Sequence, residues 1–250
     1  MKVGFIGLGG IGKPMAINIA RSGFELTVTD LREQPLRDLE QYGAQTVGSP
    51  REVAELSDII LASLPSNEAS LEVALGVDGV IPSTKSGDIY IELSTISPEI
   101  VHTIVEKASA KNVNVLDAPV SGGLEQREEG TLSIMAGGEA TILSQAMPVL
   151  KTFGDKVFHT GPNGTGASIK LINNMLAGIN MVATYECLIL GTKVVTAFFP
   201  VIRLRHQSKT AMDQETPPAT SHGGDGFLDE DSEQEDEDMA YQCQWPSCMG

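Results

Sequence analysis

A chain of 250 residues with 41% hydrophobic content has enough apolar side chains for one large or two medium domains with real cores. Its net charge of −16 is unevenly spread: residues 201–250 hold 11 acids against 3 bases, half of the excess in a fifth of the length, and no basic stripe suited to nucleic acid occurs. Three cysteines argue against a secreted disulfide framework, no signal-like segment opens the chain, and the apolar stretch 188–202 carries Lys193 and falls short of the roughly 20 residues that span a bilayer, so a soluble cytoplasmic protein with no membrane partner is expected.

Residues 2–6 read as a buried parallel strand that runs into G-x-G-x-x-G, with glycines at Gly7, Gly9 and Gly12. The first glycine makes the tight turn, the second lets the backbone approach a pyrophosphate, and the third lets a helix pack close to the strand. A helix over 11–22 follows, with Pro14 near its start, where a missing N–H costs little. A strand at 24–29 ends on Asp30, 23 residues after Gly7, where an acid bonds the adenosine ribose and disfavours a 2′-phosphate. The other reading of Asp30 is a helix cap or surface acid. Arg32 stands close enough to soften the preference.

The pattern continues with a helix at 33–42, a short strand at 44–47 and a helix from Ser49-Pro50 to Leu56. A strand at 58–64 ends at Leu64-Pro65, followed by a helix at 67–75. A strand at 88–93 leads to Ser94-Thr95, and Pro98 starts a helix to about 110. The strand 113–116 delivers Asp117-Ala118-Pro119-Val120-Ser121-Gly122-Gly123, then come a strand at 131–136, a helix at 139–152 and a last strand at 156–159. Strands alternating with helices of this length predict an α/β fold with a doubly wound parallel sheet. Asp30, Pro65, Thr95 and Ser121 all fall at strand ends, where ligands sit in such folds. A glycine-rich loop at 161–166 precedes a long helix from about Ala167 toward Leu190. Cys187, Met175 and Met181 read as packing residues of that helix. The histidines, His102, His159, His206 and His222, have no metal-ligand spacing, and no metal is assigned.

Four stretches in order carry a resemblance: Gly4 to Ala16, Leu93-Ser94-Thr95-Ile96-Ser97-Pro98, Asp117 to Gly123, and Gly161 to Gly166 followed by Lys170-Leu171-Ile172-Asn173-Asn174. Over roughly residues 1–193 the chain resembles the β-hydroxyacid dehydrogenases, the group of 3-hydroxyisobutyrate dehydrogenase, tartronate semialdehyde reductase and 6-phosphogluconate dehydrogenase. The resemblance implies a Rossmann-like cofactor domain and a nicotinamide cofactor, NAD preferred and NADP possible. It implies that Gly7, Leu8, Gly9, Gly10, Ile11, Gly12, Asp30, Leu64, Pro65 and Thr95 bind the cofactor. Ser121, Gly122, Gly123 and Thr95 would hold the substrate. Lys170 matches the general acid/base, and Asn174 the asparagine beside it. Asn173 replaces the histidine of phosphogluconate enzymes, which leans toward small C3–C5 hydroxyacids.

The residues fit that chemistry. Oxidising an alcohol takes a proton from oxygen as hydride leaves carbon, so a protein group must accept the proton while the cofactor takes the hydride. Lys170 and Asn174 are four apart and share a helix face. Desolvation lowers a lysine toward a useful pKa, and the cationic form stabilises a developing alkoxide. Ser121 and the following N–H groups are expected to form a small anion nest.

The expected plan is a dinucleotide-binding domain at 1–160, a glycine-rich loop and the start of an interdomain helix at 161–195, and an atypical tail at 196–250. The run Asp225 to Glu237 is acidic and of low complexity, the composition of disorder. The family's second, all-helical domain is not recognisable in this tail, and a truncated, spliced or mis-joined product is the expectation. Two functions follow: an NAD(P)-dependent oxidoreductase acting on a small 3-hydroxy acid such as 3-hydroxyisobutyrate or the tartronate semialdehyde/glycerate pair, or a catalytically impaired dinucleotide-binding module that acts through its acidic tail. An uncovered long helix also predicts a homodimer.

Overall fold

The structure, a computed structural model, describes residues 1–194. The acidic tail expected over 196–250 lies outside the described residues. In chain order the elements are β1 (Lys2–Ile6), α1 (Gly12–Arg21), β2 (Glu25–Thr29), α2 (Glu33–Glu40), β3 (Gln45–Thr46), α3 (Pro50–Leu56) and β4 (Ile59–Ala62). Then come α4 (Asn67–Leu75), α5 (Val80–Ser83), β5 (Ile89–Glu92), α6 (Pro98–Ser109), β6 (Asn114–Asp117), β7 (Val120–Ser121) and α7 (Leu124–Glu129). The last are β8 (Leu132–Gly137), α8 (Ala140–Leu150), β9 (Gly154–Gly161) and α9 (Thr165–Val194). Met1–Ile189 is one compact unit and holds the whole sheet.

Strands β3-β2-β1-β4-β5-β6 lie side by side, all parallel. The chain winds outward from β1 in both directions, so β1 and β4 flank the switch point, where a crevice opens beyond the strands' carboxyl ends. The sheet is therefore Rossmann-like and mostly parallel. Its departure is β8, which pairs antiparallel with β6 and β7 and parallel with β9. Only about ten residues, with α7 among them, separate β7 from β8. A parallel crossover needs a dozen or more, so the chain turns back antiparallel.

Alternation along the strands builds a core on each face. Val3 and Phe5 of β1, Ile59 and Leu61 of β4, and Ile89 and Ile91 of β5 meet Met15, Ala16 and Ile19 of α1 and Leu143, Ala146 and Val149 of α8. The intervening Ile6, Ile60, Ala62 and Tyr90 meet Val53 and Ala54 of α3, Ala74 of α4, Ile81 of α5 and Ile104 of α6. Local signals start two of these helices. Ser49 accepts the Glu52 N–H with Pro50 in the first turn, and Ser66 accepts the Ala69 N–H.

The long helix α9 begins against the body of the domain, where Ala167 is buried with Ile96 and Val101. Beyond its first turns its apolar residues are exposed: Ile172, Met175, Leu176, Ile179, Met181, Val182 and Ile189. Met175 and Met181, read from sequence as packing residues, are 61% and 48% exposed, and Cys187 is an exposed free thiol. The correction has a simple cause: among the described residues nothing covers this helix. Thr165–Lys193 is also long and apolar enough to cross a membrane by length and composition. This run begins well before the stretch 188–202 on which the expectation of no membrane partner rests. The first turns of this helix are part of the α/β domain, as the site geometry shows.

Candidate cofactor and substrate cleft

The β1–α1 turn is built by close approach. Gly7 takes φ +89°, and a side chain there would strike the Ser63 carbonyl. A Cβ on Gly12 would strike the carbonyl of Gly7, so helix and strand touch through glycine alone. Gly9 and Gly10 face open space. The N-terminus of α1 has no side-chain cap and no acid in its first turn, which leaves N–H groups and the positive dipole end for an anion. These residues fit a dinucleotide pyrophosphate.

Asp30 follows β2 as expected, and its carboxylate faces inward. It accepts the Leu8 N–H at 2.6 Å and the Arg32 N–H and Nε–H at 2.9 and 3.0 Å. The Arg32 guanidinium also donates to the Leu8 carbonyl at 3.0 Å. Burial pushes the Asp30 carboxyl up, but the bonds from Arg32 and Leu8 together outweigh it and hold the group below its usual range. Asp30 thus ties the glycine loop to the end of β2, and Arg32 places a cation beside it. Arg32→Ala is expected to strengthen the preference for NADH over NADPH by about tenfold, by removing the cation available to a 2′-phosphate. Paired titrations with the two reduced cofactors check this; an unchanged ratio rejects it.

The far wall of the crevice is stapled by a buried network. The Tyr90 hydroxyl donates to Glu92 at 2.9 Å, Glu92 accepts the Ser94 N–H at 3.0 Å, and Ser94 Oγ accepts the Leu64 N–H at 2.7 Å. Asn67 accepts the Ser97 N–H at 3.0 Å. The loops after β4 and β5 are therefore held to each other, which fixes Leu64, Pro65 and Thr95. Full burial raises the Glu92 carboxyl, against the opposing bonds from Ser94 and Tyr90.

Asp117 at the end of β6 sets the floor. Its carboxylate accepts the Gly164 N–H at 2.8 Å and the Ala167 N–H at 2.9 Å. An acid from a distant strand therefore caps α9. Lys170 lies one turn further on. It is half-buried, and its pKa is lowered, first by burial and then by the nearby charge of Arg127.

These elements enclose a cleft of about 380 Å³ lined by Ile11, Ser63, Leu64, Pro65, Leu93, Ser94, Thr95, Val120, Ser121, Gly122, Arg127, Lys170 and Asn174. Of the residues singled out from sequence, the cleft gathers Ile11, Leu64, Pro65, Thr95, Ser121, Gly122, Lys170 and Asn174. Leu8 is buried beneath the glycine loop. Gly123 stands outside the lining, where its N–H donates to Gln126 Oε1 at 2.8 Å and starts α7. Sequence reasoning missed Arg127, the Ser94 staple and the Asp117 cap. The motif around Asp117 was visible, but its bonding partners lie 47 and 50 residues away.

Fold and cleft together define a nicotinamide-dinucleotide-binding α/β domain with a half-buried lysine at its crevice. Residues 2–161 match the family described as the NAD binding domain of 6-phosphogluconate dehydrogenase. The chain is 39% identical over 193 residues to 2-(hydroxymethyl)glutarate dehydrogenase of Eubacterium barkeri, covering 77% of this chain and 64% of that protein. It is also 39% identical over 191 residues to 3-hydroxyisobutyrate dehydrogenase of Pseudomonas aeruginosa, covering 76% and 64%. The solved 3-hydroxyisobutyrate dehydrogenase of Mycobacterium tuberculosis, studied with L-serine, superposes with a TM-score of 0.74 at 29% identity, covering 80% of this chain and 69% of that one. The chain belongs to the β-hydroxyacid dehydrogenase family. It spans about 64% of the length of the first two relatives.

Proposed function

We propose that this chain is the cofactor-binding and proton-transfer portion of an NAD(H)-preferring oxidoreductase of small 3-hydroxy acids, 3-hydroxyisobutyrate and 2-(hydroxymethyl)glutarate among the candidates. The observation that carries the reading is one cleft holding Lys170, Asn174, Ser121 and Thr95 beside the glycine loop and the Leu64-Pro65 wall. When bound, the nicotinamide takes the hydride. Lys170 in its neutral form takes the hydroxyl proton during oxidation, and in its charged form returns it during reduction. Asn174, one turn along the same face, orients the hydroxyl. Ser121 and the adjoining backbone hold the carboxylate, and Thr95 orders the substrate against the cofactor. NADP is the secondary cofactor, through Arg32.

A second reading is favoured by the exposed apolar face of α9. Here the chain binds a dinucleotide without efficient turnover, because an open cleft is wet and water weakens the electrostatic work of Lys170. Titration of NADH and NADPH, followed by fluorescence and protection from thermal unfolding, tests the common core of both readings. Saturable binding with NADH preferred is expected, and no binding of either rejects both. NAD+-dependent oxidation of 3-hydroxyisobutyrate then separates them. The same exposed face supports a homodimer through α9, which sedimentation of the purified chain checks.

A further inference from the structure

The helix α7 is polar and exposed except for one residue. Leu124, Glu125, Gln126, Glu128 and Glu129 face solvent, while Arg127 is half-buried and lines the cleft with Lys170. Its backbone is anchored: its N–H donates to the Gly123 carbonyl at 3.2 Å, and its carbonyl accepts from Asn18 Nδ2 at 3.1 Å. Among the described residues, neither Arg127 nor Lys170 forms an ion pair with a carboxylate, although three glutamates share α7 with Arg127. Two cations therefore face one cleft without a protein counter-ion. Like charges held together in a partly desolvated site cost free energy unless an anion joins them. The charge of Arg127 is felt at Lys170, where it adds to burial in lowering the lysine's pKa.

The proton acceptor and the Ser121 turn account for a hydroxyl and one carboxylate. Arg127 is surplus to both. We propose that Arg127 reads the substituent at C2 of a 3-hydroxypropionate core and selects substrates that carry a second carboxylate there. This rests on the hydroxyacid reading above. The core is common to three compounds that differ only at C2. The substituent is a carboxyethyl arm in 2-(hydroxymethyl)glutarate, a methyl in 3-hydroxyisobutyrate and an ammonium in L-serine. An unpaired guanidinium attracts the first, is indifferent to the second and repels the third.

The test is a calorimetric titration of the full chain with each compound in saturating NADH, which cannot oxidise an alcohol and so gives a stable dead-end complex. Expected is binding of 2-(hydroxymethyl)glutarate about tenfold or more tighter than 3-hydroxyisobutyrate, with L-serine weakest. Arg127→Met collapses the first ratio to about one, and Arg127→Lys retains part of it, since the charge survives without the planar fork. Equal affinities in the unaltered chain overturn the proposal. So does a preference that survives in Arg127→Met. A loss of NADH affinity in that variant matching its loss for the dicarboxylate also overturns it, because Arg127 would then serve a cofactor phosphate. If the unaltered chain fails to bind NADH, the proposed function falls, and the same titrations on the cofactor-free chain still decide the C2 preference. Absence of binding by all three compounds in both forms rejects it.

Discussion

Lys170→Met is expected to lower kcat for hydroxyacid oxidation by about 10³-fold while NADH affinity changes little, since general acid-base groups contribute roughly 10² to 10⁴. Methionine nearly preserves volume and removes only the titrating nitrogen. The pH dependence supplies a sharper readout. Burial, then Arg127, holds Lys170 below an ordinary lysine. Oxidation uses the neutral amine, so kcat/KM climbs with pH and levels off at a pKa below the usual value of about 10.4. Reduction uses the charged form and falls over the same range. Arg127→Met removes the repelling charge, so Lys170 titrates higher and the oxidative limb moves to higher pH. Steady-state profiles of both proteins check this. A Lys170→Met chain with near-normal turnover, or a limb unmoved by Arg127→Met, removes Lys170 from the role assigned to it.

The glycine loop and the strand-end positions of Asp30, Pro65 and Thr95 were legible because each rests on a local rule, whereas Lys170 stood out only through the resemblance to the family. A turn needs φ above zero at Gly7, a close helix needs no Cβ at Gly12, and an apolar run of four or five residues marks a buried strand. The rest was hidden for physical reasons. Helix α7 has six residues, no buried apolar face and a glycine for its N-cap, so no periodicity announces it, and Arg127 disappears with it. The antiparallel direction of β8 follows from chain length between β7 and β8, which pattern alone does not encode. Met175, Met181 and Cys187 of α9 looked like packing residues because apolar periodicity implies a partner, yet it does not say which element supplies one. The four motifs contain Ser94 and Asp117 as well as other cleft residues, but the remote backbone groups that these two side chains bond, 30 to 50 residues away, are not encoded in the motifs.

Asp117→Ala is the substitution that tests how the lysine is held in place. The Asp117 side chain is 1% exposed and receives the N–H groups of Gly164 and Ala167 at the start of α9. Alanine leaves those buried donors unpaired, at a cost of about 3 kcal/mol. For a unit of this size that corresponds to roughly 6–12 °C in Tm. The pH dependence has a definite sign. Burial raises the Asp117 carboxyl against the opposing backbone bonds, so the folded state favours its protonated form more than the unfolded chain does. The stability gained from that preference is fully present below the unfolded value and fades as pH rises through the folded one. The Tm gap between the unaltered chain and Asp117→Ala should therefore be wider near pH 4 than at pH 7. The loop 161–166 leads directly into the helix that carries Lys170. Loosening it should cost kcat more than it costs NADH affinity, because the glycine loop on β1 is untouched. Thermal melts at several pH values, together with NADH titration of the same variant, measure both effects. If the Tm is unchanged, Asp117 does not hold the start of α9. If NADH affinity falls as far as kcat, the two halves of the cleft are not separable as the geometry indicates.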